Sequence, residues 1–272
     1  MAVTSQITQP DEWNSMTDYS ALLPAIIATA HEAGKTIMDV YATDFSVAQK
    51  DDNSPVTEAD TRAEAIIIPA LKALTPEYPV VAEEAASRGE LPKVGDAPFW
   101  LVDPLDGTKE FLNRNGEFTV NIALIVNRAP VLGVIYAPAL GVTYTGIVGT
   151  GATRAADGAA TTPIALRDVP DDGVTVLASR RHGDKDTLEA FLKGRPLAGV
   201  KNAGSSLKFC LLAAGEADLY PRFGPTMEWD TAAGHAILLA AGGRVTTEDG
   251  APLLYGKDPL LNPYFIAWGK LS

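Results

Sequence analysis

The sequence Phe99-Trp-Leu-Val-Asp-Pro-Leu-Asp-Gly-Thr108 decides both the fold and the chemistry that we expect of this chain. Its first four residues form an apolar run, which is typical of a buried strand. Two carboxylates, a glycine turn and a hydroxyl follow at once. Because open α/β sheets bind ligands at the ends of their strands, this stretch predicts a strand that delivers Asp103 and Asp106 to a functional sheet edge.

The composition excludes several classes of protein. A chain of 272 residues is longer than one hydrophobic core usually serves, so we expect one large domain or two closely packed parts. Hydrophobic residues make up 46% and charged residues 21%, as in ordinary globular proteins. The formal net charge of -12 opposes binding to DNA or long RNA.

No apolar run approaches the ~20 residues that a transmembrane helix needs, and the first residues lack the pattern of a signal peptide. We therefore predict a cytoplasmic protein, with peripheral association with the inner membrane left open. Residues 1–16 are expected to form a loose extension. The single cysteine, Cys210, lies in an apolar helical segment and is interpreted as a buried structural thiol.

Apolar residues recur at helical spacing over residues 18–41 and predict an amphipathic helix. Thr57 and Asp60 have the spacing of a capping box, so a second helix is expected to run to about Leu74. Short apolar and β-rich stretches predict strands over 79–82 and 99–102 and an antiparallel meander over 118–126, 131–136 and 142–148.

Beyond residue 151 short strands alternate with helices, which predicts a sheet layered with helices. The predicted elements are 174–178, 185–192, 204–214, 218–220, 231–241, 244–246 and 264–268. The expected fold class is α/β (α+β), with an N-terminal α+β part over 17–150 and a C-terminal α/β part over 151–272 that share one cleft.

Five acids lie where predicted elements begin or end: Asp60, Glu83, Asp103, Asp106 and Asp230. Two such charges 4 Å apart repel by about 4 kcal/mol at an effective dielectric constant of 20, so a converging cluster needs cations. Ligands that are all oxygen select Mg²⁺, with Mn²⁺ or Ca²⁺ as alternatives. Two ions about 3.5–4 Å apart can activate water against a phosphoryl group, which indicates a phosphoester hydrolase.

These acids also have purely structural interpretations. Asp60 and Asp230 are each favourable as helix caps. Asp103 and Asp106 have the spacing of a simple turn. The strand-to-helix setting of the whole six-residue motif favours a metal site instead.

Four motifs resemble, in order, those of the inositol monophosphatase superfamily of Mg²⁺-dependent, lithium-sensitive phosphatases. They are Pro55-Val-Thr-Glu-Ala-Asp60, Val81-Ala-Glu-Glu84, Trp100-Leu-Val-Asp-Pro-Leu-Asp-Gly-Thr108 and Glu228-Trp-Asp-Thr-Ala-Ala-Gly234. The resemblance implies a layered αβαβα fold. Residues 106–111 and 204–230 further resemble the bacterial 3'(2'),5'-bisphosphate nucleotidases, which hydrolyse adenosine 3',5'-bisphosphate to AMP and phosphate.

The resemblance implies roles for individual residues. It makes Asp60 and Thr108 the pair that orients and deprotonates the attacking water. The amides of Gly107 and Thr108 would hold the scissile phosphate. Two or three Mg²⁺ ions, with Mn²⁺ as a substitute and Li⁺ as an inhibitor, would be bound by Glu83, Asp103, the Leu105 carbonyl, Asp106 and Asp230. All of these except Asp103 would also contact substrate.

The second phosphate of such a nucleotide needs its own contacts. The resemblance assigns them to Lys208 and Arg222, to a hydroxyl of Ser205 or Ser206, and to His182. An arginine fork suits phosphate geometry. The alternative interpretation of Lys208 is an exposed helix lysine.

Three functions stay open at this point. The first is a 3'-nucleotidase acting on a small phosphorylated nucleotide, as a monomer or homodimer. The second keeps the chemistry but takes inositol monophosphate or a sugar bisphosphate. The third is a metal or nucleotide sensor without turnover, against which the Asp60–Thr108 pair argues because a sensor needs no base.

Overall fold

The computed structural model describes residues 18–44, 47–49, 55–179 and 185–270. The predicted extension over residues 1–16 lies outside these ranges. The helices of the described structure are α1 (Leu23–Tyr41), α2 (Glu58–Leu74), α3 (Glu83–Ser87), α4 (Thr108–Leu112), α5 (Lys185–Leu192), α6 (Leu207–Ala213) and α7 (Glu228–Ala240). Its strands are β1 (Val47–Gln49), β2 (Pro55–Thr57), β3 (Val80–Ala82), β4 (Phe99–Asp106), β5 (Thr119–Val126), β6 (Ala129–Ala137), β7 (Val142–Ile147), β8 (Gly151–Ala156), β9 (Thr162–Ile164), β10 (Val174–Ala178), β11 (Leu197–Asn202), β12 (Leu219–Arg222), β13 (Arg244–Thr247) and β14 (Phe265–Trp268).

The predicted amphipathic helix is confirmed with a later start. A 3-10 turn at Ser20–Leu22 precedes α1, and Pro24 lies in its first turn, where a missing amide hydrogen costs nothing. The buried face of α1 follows the helical repeat through Ile26, Ala33 and Ile37. The second predicted helix is confirmed to Leu74 as α2, and its buried residues pack with those of α1 in one apolar core.

The first sheet has seven strands in the order β3-β4-β5-β6-β7-β8-β9. Strands β5, β6 and β7 pair antiparallel, which confirms the predicted meander. Strand β3 runs parallel to β4. Strands β8 and β9 also join this sheet, so it continues past residue 150, where the two predicted parts meet.

Helices α6 and α7 form the layer between the two sheets. Their buried side chains share one apolar core with residues of the first sheet, such as Leu101, and of the second, such as Phe265. Helix α7 lies so close to β6 that a Cβ atom added to Gly133 would stand 2.3 Å from the Ala233 carbonyl oxygen. Cys210 of α6 is fully buried in this core, as predicted.

The second sheet has five strands in the order β11-β10-β12-β14-β13. Strand β10 pairs in parallel with β11 and β12, and β14 runs antiparallel between β12 and β13. The far face of this sheet packs against Leu188 and Phe191 of α5. Helices, sheet, helices, sheet and helix therefore alternate, which confirms the expected αβαβα layering.

Strand β11 was not predicted. Its residues are largely exposed, including Leu197 and Val200, because it forms an edge of the second sheet. An exposed edge strand lacks the buried apolar pattern on which the sequence-based assignment depends. Among the described residues, no helix has both the length and the apolar character needed to span a bilayer.

Candidate active site

A β-bulge in β4 brings the two acids of the central motif to one face of the sheet. Asp103 lies opposite Asn121 in β5, and Asp106 lies opposite Thr119. Asn121 and Thr119 are two residues apart and share a face, so their partners do as well. The odd spacing of Asp103 and Asp106 would place them on opposite faces of a regular strand, and the extra residue in β4 corrects this.

The chain turns sharply after this strand. Gly107 has φ +91°, in the left-handed region, and begins the turn into α4. A Cβ atom at Gly107 would also lie only 3.2 Å from the Glu117 carbonyl oxygen, so the backbone conformation favours glycine and the tight space adds to that preference. The turn places Thr108 at the first position of α4, with its hydroxyl 3.5 Å from the Leu105 carbonyl oxygen.

Asp60 faces Thr108 from α2. Its Oδ1 lies 3.4 Å from Thr108 Oγ1. Its Oδ2 accepts hydrogen bonds of 2.8 Å from both the backbone amide and the hydroxyl of Thr57, which confirms the predicted capping box. Burial raises the pKa of Asp60, and the negative charge of Glu83 adds to that rise, while the bonds from Thr57 oppose it.

The acids predicted as metal ligands converge from three elements. Asp103 is buried in the second half of β4, and burial followed by the charges of Glu83, Asp106 and Asp230 raises its pKa well above its ordinary value. Burial, Asp106 and Glu83 likewise raise the pKa of Asp230 at the start of α7. Burial is also the main cause that raises the pKa of Asp106 to about 6. The charges of neighbouring acids contribute to the shifts of Asp103 and Asp230, so these carboxylates lie within electrostatic reach of one another.

Asp106 is held by groups that the sequence reasoning missed. Its Oδ2 accepts hydrogen bonds from the Ser206 amide at 2.6 Å and from Asn121 Nδ2 at 3.4 Å. Ser206 Oγ in turn donates to Asn121 Oδ1 at 2.8 Å and lies 2.8 Å from Thr119 Oγ1. A polar residue inside the apolar run 119–126 was the available signal for Asn121. This network joins the first sheet to the start of α6.

The donor set fits a hard divalent cation. It consists of four carboxylates and, one residue before Asp106, the Leu105 carbonyl, and two divalent ions would balance four negative charges. The Asp103 carboxylate also accepts from the Leu105 amide at 3.0 Å, which orients this turn. Within the described ranges no three His, Cys, Asp or Glu side chains form a ready-made ion cage. One oxygen of Asp106 and one of Asp230 already accept a hydrogen bond from a backbone amide. A metal ion bound to either of these oxygens would share it with that amide.

Four of the residues predicted for a second phosphate line a cleft together with Asp106 and Asp230; they are Ser205, Ser206, Lys208 and Arg222. Arg222 Nη1 donates to Ser179 Oγ at 2.9 Å and Nη2 to the Pro225 carbonyl at 3.1 Å. Lys208 is buried rather than exposed, since its Nζ donates to the carbonyls of Ala203 and Ser205 at 3.1 and 2.6 Å. An anion that bound Lys208 would therefore compete with two backbone carbonyls.

The two serines differ in their surroundings. Ser205 is partly exposed, has φ +42° and lines the cleft. Ser206 is buried in the network that holds Asp106, so its hydroxyl faces Thr119 and Asn121. The remaining predicted contact, His182, lies outside the described residues.

The chain was compared with known proteins. Residues 18–265 match the model of the inositol monophosphatase family. A 3'(2'),5'-bisphosphate nucleotidase, CysQ, from Escherichia coli O157:H7 is 46% identical over 247 residues, which cover 90% of this chain and 98% of the relative. The corresponding CysQ of Salmonella typhimurium is 47% identical over the same shares.

Solved structures agree with the sequence matches. The crystal structure of CysQ from Bacteroides thetaiotaomicron superimposes with a TM-score of 0.78 at 41% identity, covering 93% of this chain and 99% of that one. An inositol monophosphatase from Anabaena gives a TM-score of 0.73 at 27% identity, covering 93% and 92%. The match over nearly the whole chain, together with the convergent acids, shows that this protein belongs to the inositol monophosphatase family.

Proposed function

We propose that this chain is a 3'(2'),5'-bisphosphate nucleotidase that hydrolyses adenosine 3',5'-bisphosphate to AMP and phosphate in a Mg²⁺-dependent reaction. The observation that carries the proposal is one cleft lined by Asp106, Asp230 and Arg222. Asp103 lies within reach of the charges of Asp106, Asp230 and Glu83. The matches to CysQ nucleotidases over 90% of the chain support the same activity.

In the proposed site, Glu83, Asp103, Asp106, Asp230 and the Leu105 carbonyl hold the metal ions. When bound, Mg²⁺ supplies charge for the phosphoryl oxygens and lowers the pKa of a bound water. The residues around it position the reactants. Arg222 binds the phosphate that is not cleaved, with Lys208, Ser205 and His182 as further candidate contacts.

The Asp60–Thr108 pair supplies the proposed route for the proton. Thr108 Oγ1 directs its hydrogen towards Asp60 Oδ1, which leaves its lone pairs to accept a hydrogen bond from the attacking water. Asp60 can take up a proton because its pKa is already raised. The amides of Gly107 and Thr108 are proposed to hold the scissile phosphate at the start of α4.

A comparison of substrates tests this proposal. With Mg²⁺ present, kcat/KM for adenosine 3',5'-bisphosphate should exceed the value for inositol 1-phosphate by more than about tenfold, because each charged contact to the second phosphate is worth roughly 1.5–3 kcal/mol. It should also exceed the value for fructose 1,6-bisphosphate, which has a second phosphate but no nucleoside. Phosphate release should vanish with EDTA and in Asp103→Asn. A higher kcat/KM for either sugar phosphate would move the chain to the second function, and tight nucleotide binding without phosphate release would make it a sensor.

Several finer points belong to the proposal. Li⁺ is expected to inhibit at millimolar concentrations, and Mn²⁺ to replace Mg²⁺ in part. The preference for adenine comes from the resemblance of residues 204–230. The cytoplasmic location and the monomeric or homodimeric state stay predictions from the sequence.

A further inference from the structure

Glu64 is a buried acid that the proposed chemistry does not use. It lies one helical turn beyond Asp60 in α2, on the apolar face that includes Ala63 and Ile67, and only 3% of it is exposed. A carboxylate at such a position requires partners, because an unpaired buried charge is strongly destabilising. Its position on the buried face at helical spacing was visible in the sequence, but its partners were not.

One carboxylate oxygen of Glu64 contacts the start of α3, and the other contacts Arg88, which directly follows α3. Oε2 accepts hydrogen bonds from the amides of Glu84 and Ala85, at 2.9 and 3.0 Å. Oε1 accepts from Arg88 Nη2 at 3.0 Å. The first amides of a helix have no partner within it, and the residue at the N-cap of α3, Ala82, has no side chain that could serve. Glu64 therefore caps α3 from another helix.

The first residue of α3 is Glu83. Its backbone immediately precedes the two amides that donate to Glu64. Glu64 therefore fixes the backbone position from which the Glu83 side chain extends. The Glu83 side chain interacts electrostatically with Asp60 and with Asp103. One helix, α2, thus carries both Asp60 and the acid that anchors Glu83.

We propose that Glu64 is a positioning residue that clamps the start of α3 to α2 and so sets the distance between Glu83 and the Asp60–Asp103 pair. The proposal rests on the proposed function, in which Glu83 binds metal. Hydrogen-bond partners that orient metal ligands generally tune metal affinity as well as hold the fold. Glu64 should therefore act on Mg²⁺ binding more than on nucleotide binding.

The substitution Glu64→Gln changes charge with little change of size. Its amide oxygen can accept from only part of the set, and its amino group then faces either the backbone amides or Arg88, all of which are donors. At least one hydrogen bond is lost, and a donor of the glutamine side chain then faces another donor. The start of α3 should shift, and Glu83 with it.

The test measures Mg²⁺ binding by isothermal titration calorimetry alongside the Mg²⁺ dependence of phosphate release. In Glu64→Gln the Kd for Mg²⁺ should rise by about 10–100-fold, as is usual when the partner of a metal ligand is removed. At saturating Mg²⁺, KM for adenosine 3',5'-bisphosphate should stay within about threefold of the wild-type value, because Glu64 lies outside the part of the cleft that Arg222 lines.

Asp218→Asn is the matched control. Asp218 is 1% exposed and, like Glu64, accepts from a backbone amide, that of Thr175 at 2.7 Å, and from a guanidinium, that of Arg167 at 2.7 Å. It lies at the start of β12 in the second sheet. This variant should lower the thermal midpoint as Glu64→Gln does, yet keep the wild-type Kd for Mg²⁺.

Arg88→Met provides a milder variant should Glu64→Gln fail to fold. The Arg88 side chain is 46% exposed and contacts Glu64 from outside, so its loss should raise the Kd for Mg²⁺ in the same direction by a smaller factor. Glu90→Gln removes only the exposed partner of Arg88 and should change nothing.

An unchanged Kd for Mg²⁺ in folded Glu64→Gln overturns the proposal. If Glu64→Gln does not fold, an unchanged Kd for Mg²⁺ in Arg88→Met overturns it. If Asp218→Asn weakened Mg²⁺ binding equally, the effect of Glu64 would be general destabilisation, and the proposal would also be wrong. A wild-type protein that neither binds Mg²⁺ nor releases phosphate would instead reject the proposed function, and Glu64 positioning with it.

Discussion

Thr108 Oγ1 lies 3.4 Å from Asp60 Oδ1, while the other oxygen of Asp60 is occupied by Thr57. The sequence left two interpretations open for Asp60, a helix cap or a functional acid. The geometry is compatible with both, because one oxygen caps α2 and the second lies towards Thr108. Capping thereby orients the acid towards Thr108.

Removal of the Thr108 hydroxyl should slow turnover without weakening metal binding. Thr108→Ala is expected to lower kcat by about 10²–10⁴-fold, which is the usual contribution of general acid–base groups. The measurement is steady-state phosphate release at saturating Mg²⁺. Thr108→Ser keeps the hydroxyl and should retain most of the activity. Similar losses in both variants would show that the methyl group, not the proton route, matters.

Stabilisation by Mg²⁺ should grow with pH. The folded, metal-free protein raises the pKa of Asp106 from 3.8 to about 6, so this group stabilises the fold below its ordinary pKa and that contribution is lost as the pH rises to about 6. Asp103 and Asp230 shift in the same direction. Bound Mg²⁺ favours the ionised acids, so the rise in Tm that it causes should be larger at about pH 8 than at about pH 5.

The control for this experiment is Asp106→Asn, which removes one titrating acid. Its metal-free form should lose less stability between these two pH values than the metal-free wild type. Differential scanning fluorimetry at both pH values, with EDTA and with Mg²⁺, gives four curves for each protein. An equal effect of Mg²⁺ on Tm at both pH values would contradict an acidic metal site.

Arg222 should discriminate between nucleotides with one and two phosphates. Arg222→Met is expected to raise KM for adenosine 3',5'-bisphosphate by about 10–100-fold, since a hydrogen bond to a charged group contributes roughly 1.5–3 kcal/mol. The matched substrate is adenosine 3'-monophosphate, which lacks the second phosphate. Its kcat/KM should barely change in the variant. Equal losses for both substrates would place Arg222 at the scissile phosphate instead.

A methyl group at position 133 should disturb the contact between the first sheet and α7. The added Cβ would lie 2.3 Å from the Ala233 carbonyl oxygen, so α7 must move. Gly133→Ala is expected to reduce the free energy of unfolding by about 1–3 kcal/mol, as overpacking usually does. Because Asp230 lies in the first turn of α7, Mg²⁺ binding should weaken too. Gly199→Ala is the control, since nothing lies within 4 Å of its added Cβ.

The sequence predicted the parts of the site that depend on local pattern. The strand before Asp103, the capping box of Thr57 and Asp60, and the meander after residue 118 each follow from short-range spacing. The structure confirms all three. The bulge that brings Asp103 and Asp106 to one face was not visible, because it depends on how β4 pairs with β5.

Contacts between distant segments were also beyond the sequence. Lys208 was predicted to reach a phosphate, but its Nζ donates to the carbonyls of Ala203 and Ser205. The hydrogen bond from the Ser206 amide to Asp106 joins residues 100 apart in sequence. No local pattern encodes such pairs, since folding of both sheets must first bring them together.

The place of α7 between the sheets bears on how the chain could be divided. Its apolar residues, such as Ile237, cover the first sheet. In the sequence, however, α7 comes after β10, β11 and β12, which are strands of the second sheet. A cut after residue 150 would leave each fragment with an exposed apolar surface. Each fragment would also keep only some of the acids that are proposed to bind metal. Neither fragment should fold alone, and an enzyme split there is expected to regain function only by reassembly of both pieces.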